Sequence, residues 1–549
     1  MHLATVTPSN DLAPPPTPTR PAVVLILWFF SLILLLIAPA GVPLSRTQEA
    51  RVLETARQML TSPTPHPYLI PTLNGQPRLQ KPPLAYWLTA ASFHLFDISL
   101  TSARIPPILA GWLTLAITYL AGSHFFNRRT ALLASVCLLS SYLFYRYTRL
   151  DETDTLATLF VTASCLCFWT ASSPLNVEHP TSNKTQFLLY HAGAVSAALA
   201  ALSKGPPAAF PFLFLLLLCI TNRNYHPLKK LLTTASLLTF LLIASAWYAY
   251  LADHHLLSQI TSEIDDLTTG RDHPASFLTY FPLLLTATAP WSAFFVASLV
   301  FAVQRFKSSP PLRALLCWLA AIFIPLCCVG NKQFHYLFPL LPPAFLLTAA
   351  LLDHVLSIPQ SDPSAKPIRI LFLATLIGSI LAGLSLPITS HLLIHHLSST
   401  DFLIASLFLL ASLLTLLSYR YQGFHRALIL FPFAISIPMT LTLSLWLPPL
   451  VSNDFELFAA DLHTHFGPSA SYLYYSQFPK LPLNFYLRQS TPYLLTPPAL
   501  RDYLSTSPDS LVLLAVKHDS PAPKPPPHLT SSLTLKGREQ DLYVYSALP

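Results

Sequence analysis

The sequence predicts an all-α polytopic membrane domain of about thirteen transmembrane helices, followed by a small C-terminal α/β domain. Three observations carry this. Only 10% of the 549 residues are charged and 52% are hydrophobic, whereas soluble domains carry roughly a quarter charged residues. Apolar runs long enough to cross a bilayer recur from residue 22 onward. After residue 447 those runs give way to short alternating segments.

In chain order, residues 1–21 are rich in Pro and Thr (PPPTPT) and predict a disordered cytoplasmic tail. Residues 22–44 form a first span, too long for a signal peptide and followed by further spans. Residues 45–99 begin polar and charged and predict amphipathic helices on the outer face. Further spans are expected near 105–126, 130–147, 154–172, 187–203, 206–221, 231–251, 277–303, 314–330, 336–353, 370–390, 402–418 and 427–447. Residues 22–447 thus make one membrane domain.

In residues 448–549, SYLYYS, SLVLLAV and DLYVYS read as strands, ALRDYLS as a helix and SPAPKPPP as a loop.

Orientation follows from the basic residues. With the N-terminus inside, Arg128, Arg129, Lys229, Lys230, Arg305, Lys307, Arg420 and Arg426 fall on the cytoplasmic side. Glu49, Asp151, Glu152, Asp154, Glu263, Asp265, Asp266 and Asp272 fall opposite. An odd number of spans sends the C-terminal domain outside, which in a bacterial inner membrane is the periplasm. The formal charge of +8 is scattered between apolar runs, so no nucleic-acid footprint is read from it. All seven cysteines lie in apolar segments, the last at Cys328, and read as packing residues rather than a disulfide or metal framework.

Polar stretches on the outer side stand out against this background. Arg46-Thr-Gln-Glu-Ala-Arg51 opens a helix running to Leu60 just past the first span. Asn74-Gly75 makes a turn, after which Lys81 is fixed by two prolines and followed by Tyr86 and Trp87. Arg149-Leu-Asp-Glu-Thr-Asp-Thr155 puts three acids and an arginine at the mouth of a span. There Asp154 is either a helix cap or a functional carboxylate, because ionisable groups at membrane depth are costly. Lys204-Gly-Pro-Pro207 and Asn331-Lys-Gln-Phe-His-Tyr336 bring further cations.

Cations around an outer cavity suit a phosphate or pyrophosphate leaving group, and an acid suits a general base on an acceptor hydroxyl. A sugar carried on a polyprenyl phosphate is the donor consistent with that side of the membrane.

These stretches resemble the bacterial lipid A aminoarabinose transferases (glycosyltransferase family 83), relatives of the protein O-mannosyltransferases. The resemblance covers about residues 22–345. It rests on EAR…ETARQML, LNG…KPPLAYWL, ARIPPILAG, RLDETDTLATLF, ALSKGPPAAF, Trp247-Tyr248, FPLLLTATAPW and NKQFHYLFPLLPP in order. It implies a GT-C fold and transfer of a sugar from undecaprenyl phosphate to a lipid A-like or other envelope acceptor.

It also implies roles for individual residues. Lys81, Arg51, Arg149, Lys204 and Lys332 would bind the donor phosphate, and Asp154 and Glu49 would be catalytic. Gln48, Gln80, Tyr86, His335 and Tyr336 would line the site. Gln48 and Gln80 stand where the family carries carboxylates. An amide is a weaker ligand and no base, so the divalent metal the family is thought to use loses two ligands, and Glu49 or Asp154 carries any base role. A catalytically inactive binder of lipid-linked sugars and a lipid or sugar transporter are the competing readings. The latter would favour inverted repeats, which the sequence does not display.

Overall fold

A computed structural model describes residues 21–61, 66–173, 183–260, 276–394, 397–451, 453–476, 480–494, 496–518 and 529–547, with 520 and 526. The expected disordered tail, the acids at 263–272 and most of the SPAPKPPP loop lie outside the described residues.

Helix α1 (Pro21–Leu36) is followed by α2 (Thr47–Thr61). A two-stranded hairpin, β1 (Thr72–Leu73) and β2 (Gln76–Pro77), leads into α3 (Leu84–Phe96). Asn74 and Gly75 take φ of 52° and 74° at its tip, left-handed values that Asn and Gly tolerate best.

Helix α4 (Leu100–Phe125) starts from a capping box in which Ser99 and Ser102 satisfy each other's backbone N–H groups. The expected span at 130–147 is instead two helices, α5 (Arg128–Leu139) and α6 (Tyr142–Tyr147). The Ser140 and Ser141 hydroxyls donate to the Val136 and Leu138 carbonyls and help end α5. Next come α7 (Thr153–Ser172), α8 (Asn183–Lys204), α9 (Phe210–Asn222), α10 (His226–Thr233) and α11 (Ser236–Asp253). The span at 277–303 is bent by 115° between residues 288 and 292. Pro290 in that break cannot continue α12 (Tyr280–Thr288) into α13 (Ser292–Gln304). The two breaks pack together, with the Trp291 indole N–H donating to Ser140 Oγ at 3.0 Å.

Helices α14 (Pro310–Cys328), α15 (Leu341–Ser357), α16 (Lys366–Ile394), α17 (Ser399–Gln422) and α18 (Phe424–Leu441) complete the membrane part. Among the described residues, 10 helices are long and apolar enough to cross a membrane, and 11 segments if the bent pair counts as one. The expected thirteen reconcile with this count through the shorter apolar helix at 206–222 and the broken pair α5–α6. Large apolar side chains such as Ile26, Leu381, Leu392 and Leu413 remain exposed, as lipid-facing positions require. The protein is a multi-pass membrane protein.

The C-terminal part holds α19 (Asp454–Phe466), β3 (Tyr472–Tyr475), α20 (Leu481–Leu487), β4 (Tyr493–Leu494), α21 (Pro497–Thr506), β5 (Leu511–Lys517), β6 (Leu529–Lys536) and β7 (Gln540–Ala547). The strands form one mixed sheet in the order β4-β3-β5-β7-β6. Period-2 alternation places Tyr472, Tyr474, Leu511 and Leu513 against α19 and α20, and Leu473 and Val512 against Leu500 of α21. Strand β6 has no counterpart among the sequence expectations, because its SSLTL stretch is largely polar.

Candidate active site

Three chain breaks deliver the charged groups of one cavity. Lys81 lies in the six-residue link between the hairpin and the start of α3, where Pro82 and Pro83 stiffen the backbone. Asp154 sits in the first turn of α7, one residue inside its start. Lys204 ends α8, and Gly205, with φ of 83°, turns the chain into Pro206–Ala209. Tyr336 lies on the short helical segment Phe334–Leu340.

Lys204 Nζ donates to Asp154 Oδ1, and its ammonium stands 4.1 Å from the centre of the Tyr336 ring. The result is a cavity of about 560 Å³ lined by Gln80, Lys81, Asp154, Lys204, Tyr248 and Tyr336 on its polar side. Pro206, Phe210, Leu213, Pro325 and Leu326 line its apolar side. Burial, followed by the nearby Lys204 charge, brings the Lys81 ammonium down to about 7 against the pull of Asp154.

Beside the cavity, Glu152 occupies the N-cap position of α7 without capping it. Its Oε1 accepts from Arg46 Nε at 2.6 Å, and Arg46 stands 5.1 Å from the Tyr147 ring centre. Its Oε2 is buried with no hydrogen-bond partner among the described residues. Burial pushes this carboxyl up to about 7, with Arg46 opposing and Asp154 adding to the shift.

Several sequence expectations take a different place in the structure. Glu49 is fully buried in a two-point pair with Arg104, Nε–Oε1 2.7 Å and Nη2–Oε2 2.9 Å, and also accepts the Asp151 N–H. It holds α2 to α4 rather than facing the cavity. Arg149 donates to Ser444 Oγ at 2.8 Å and to the Ile37 and Ala38 carbonyls. It satisfies the chain end after α1 and does not reach the cavity. Lys332 Nζ donates to the Val329 carbonyl three residues back, and Lys332 is not among the residues lining the cavity. Tyr86 is buried among Leu53, Phe93 and Phe485, because its face of α3 packs on α2 and α20. Arg51 donates to Gln48 Oε1 at 3.5 Å; neither residue lines the cavity, although the Arg51 charge is felt at Lys81.

His335 places Nε2 3.8 Å from Asp154 Oδ2. Glu152, Arg46 and Tyr248 lie inside stretches the sequence singles out, and the structure brings them to the cavity or its rim. The Glu-x-Asp spacing at the head of α7 was the available signal for Glu152.

The positions where the resemblance places carboxylates do not fit an ion, since the Gln48 carbonyl faces Arg51 and the Gln80 carbonyl accepts from Arg78 at 3.1 Å. Among the described residues, Glu152, Asp154 and His335 bring ligand atoms within 4.8 Å of one another. Arg46 and Lys204 already neutralise one oxygen of each carboxylate.

The chain is similar to known proteins in sequence and in fold. Residues 80–250, which contain Lys81, Asp154, Lys204 and Tyr248, match the family described as dolichyl-phosphate-mannose-protein mannosyltransferase. An uncharacterized protein of Aquifex aeolicus is 29% identical over 61% of this chain and 63% of its own length. The undecaprenyl phosphate-alpha-4-amino-4-deoxy-L-arabinose arabinosyl transferase of Pectobacterium carotovorum is 26% identical over 55% of this chain and 54% of its own. The match thus spans little more than half the length of these relatives. The crystal structure of ArnT from Cupriavidus metallidurans bound to undecaprenyl phosphate superposes with a TM-score of 0.75 at 16% identity, over 96% of this chain and 98% of that one. That likeness establishes the fold. The resemblance to the aminoarabinose transferases and the GT-C architecture it implies are borne out.

Proposed function

We propose that the protein is an integral membrane glycosyltransferase. It moves a sugar from an undecaprenyl-phosphate donor to a lipid A-like or other envelope acceptor at the outer face of the inner membrane. The observation that carries the reading is the cavity where Lys81, Lys204 and Asp154 meet an apolar wall. The two ammonium groups suit a phosphate, and the apolar wall suits the isoprenoid next to it.

In the reaction the acceptor oxygen bonds to the anomeric carbon while the bond from that carbon to the phosphate oxygen breaks. The hydroxyl proton passes to the Asp154 carboxylate, and the phosphate leaves with its new charge on Lys81 and Lys204. Lys204 is held on Asp154 beforehand. As charge builds on the leaving phosphate it is drawn across, freeing Asp154 to accept the proton. Gln80, His335 and Tyr336 border this centre. None of these steps requires a metal.

Residues 22–447 are the membrane domain and 448–549 a periplasmic domain, with the N-terminus cytoplasmic. The orientation is supported by the excess of Lys and Arg in the loops assigned to the cytoplasmic side.

The test is purified protein in proteoliposomes with undecaprenyl-phosphate aminoarabinose and lipid A, followed by mass spectrometry of the lipids. A lipid A mass increase of one pentosamine is expected. Donor binding without transfer to any envelope acceptor would instead favour the inactive binder that Gln48 and Gln80 suggest.

A further inference from the structure

We infer that the C-terminal domain holds the Lys81 loop in place through Asn484, which acts as a positioning residue for the donor-phosphate site. The inference rests on the role proposed above for Lys81, and its first readout does not depend on that role.

Asn484 lies on α20 and is fully buried. Both ends of its amide are engaged: Oδ1 accepts from Tyr474 OH of β3 at 3.0 Å, and Nδ2 donates to Asn74 Oδ1 at 3.0 Å. Asn74 is the tip of the β1–β2 hairpin, 410 residues away in sequence. The rest of the hairpin is fastened to the membrane part. Thr72 Oγ1 donates to Gln58 Oε1 of α2 at 3.2 Å and Leu79 is buried with Trp247 and Leu251, while the Arg78 N–H donates to the Pro71 carbonyl at 2.7 Å and closes the base of the hairpin itself. Two residues after Leu79 comes Lys81, and Pro82 and Pro83 leave little freedom to absorb a shift of the hairpin. Nearby, Arg57 of α2 donates to the Arg488 carbonyl at 3.0 Å and to Ser490 Oγ at 3.1 Å. The C-terminal domain therefore grips both α2 and the hairpin that precedes Lys81.

The groups around the Lys81 ammonium are Lys204, Asp154, Arg78 and Arg51, with the phenols of Tyr248 and Tyr336 in the same cavity wall. Burial is the main cause of its lowered proton affinity. A loop released from Asn484 would let water reach the ammonium, and its titration would move up toward the ordinary lysine range.

The variants are Asn74→Gly, which keeps the left-handed backbone and removes the side chain, Asn484→Ala, and the double substitution. The first readout is the pH dependence of Lys81 acylation by acetic anhydride, followed by mass spectrometry of the detergent-solubilised protein. The second is affinity for undecaprenyl phosphate. In the parent, Lys81 should titrate near 7, and each single variant should move that midpoint upward by at least half a unit. Undecaprenyl phosphate affinity should fall roughly two- to ten-fold, the size of one neutral hydrogen bond. The double variant should match the singles, because both remove the same link. A parental titration midpoint in Asn74→Gly overturns the inference, as do single effects that add. Absence of undecaprenyl phosphate affinity in the parent would count against the function proposed above and leave the acylation result as the judge of the positioning role.

Discussion

Replacing Glu49 by Gln tests whether this acid serves structure or chemistry. The carboxylate sits in a site that water does not reach, with Arg104 donating to both oxygens and the Asp151 N–H adding a third bond. The Arg104 guanidinium also donates to the Pro39 and Val42 carbonyls at 2.6 and 2.7 Å, so it cannot swing away. In the Gln variant the amide NH2 faces guanidinium donors, and a buried cation loses its counter-charge. Breaking a buried pair from one side costs about 3–5 kcal/mol. Removing both charges with an apolar pair, Glu49→Leu with Arg104→Met, should restore much of that loss, since the pair's net contribution over packed apolar groups is small. Thermal unfolding of the purified protein in detergent is the assay. Glu49→Gln should show a markedly lower Tm that added salt does not change, because buried pairs are little screened. Turnover per folded molecule, measured well below that Tm, should stay within about ten-fold of the parent, short of the loss expected for a missing general base. A Tm equal to the parent's together with a loss of turnover beyond about a hundred-fold would refute the argument and return Glu49 to the catalytic role its motif suggested.

Lys81→Met should weaken undecaprenyl phosphate binding about ten- to a hundred-fold, the range of a charge-assisted contact. In the parent the same affinity should be full below pH 7 and decline as pH rises through about 7, where the Lys81 ammonium loses its proton; a flat profile from pH 6 to 9 would contradict this. Asp154→Asn should lower turnover about a hundred-fold or more without weakening donor binding, since it frees Lys204; parental turnover would move the base assignment to Glu152. Arg149→Met should lower Tm and leave donor affinity unchanged, and a selective loss of affinity would show that Arg149 reaches the phosphate after all. Reporter fusions at Gln304 and Asn453 should read cytoplasmic and periplasmic, and identical readings at both would overturn the orientation.

What the sequence determined by itself is what local chemistry controls. Crossing a bilayer requires a run of apolar residues of a certain length, and that requirement acts on each segment separately. Every expected span therefore coincides with a helix or a helix pair. Strands β3, β5 and β7 were legible for the same reason, their alternation being local, whereas the polar β6 relies on pairing with β7. Lys81, Asp154 and Lys204 stood out because an ionisable group beside an apolar run is expensive wherever the chain puts it.

Only the tertiary structure decided which way each charged side chain turns. Arg149 and Asp154 lie five residues apart, yet one reaches back to the chain after α1 and the other out to Lys204. Glu49 and Arg104 are 55 residues apart and Asn484 and Asn74 are 410 apart, so no local pattern announces either pair. A buried polar atom takes whichever partner the packing brings within 3 Å or so, because leaving it unpaired is costly. That partner is fixed by how helices cross and where they break, as at Ser140 and Pro290, and those crossings depend on the whole chain at once.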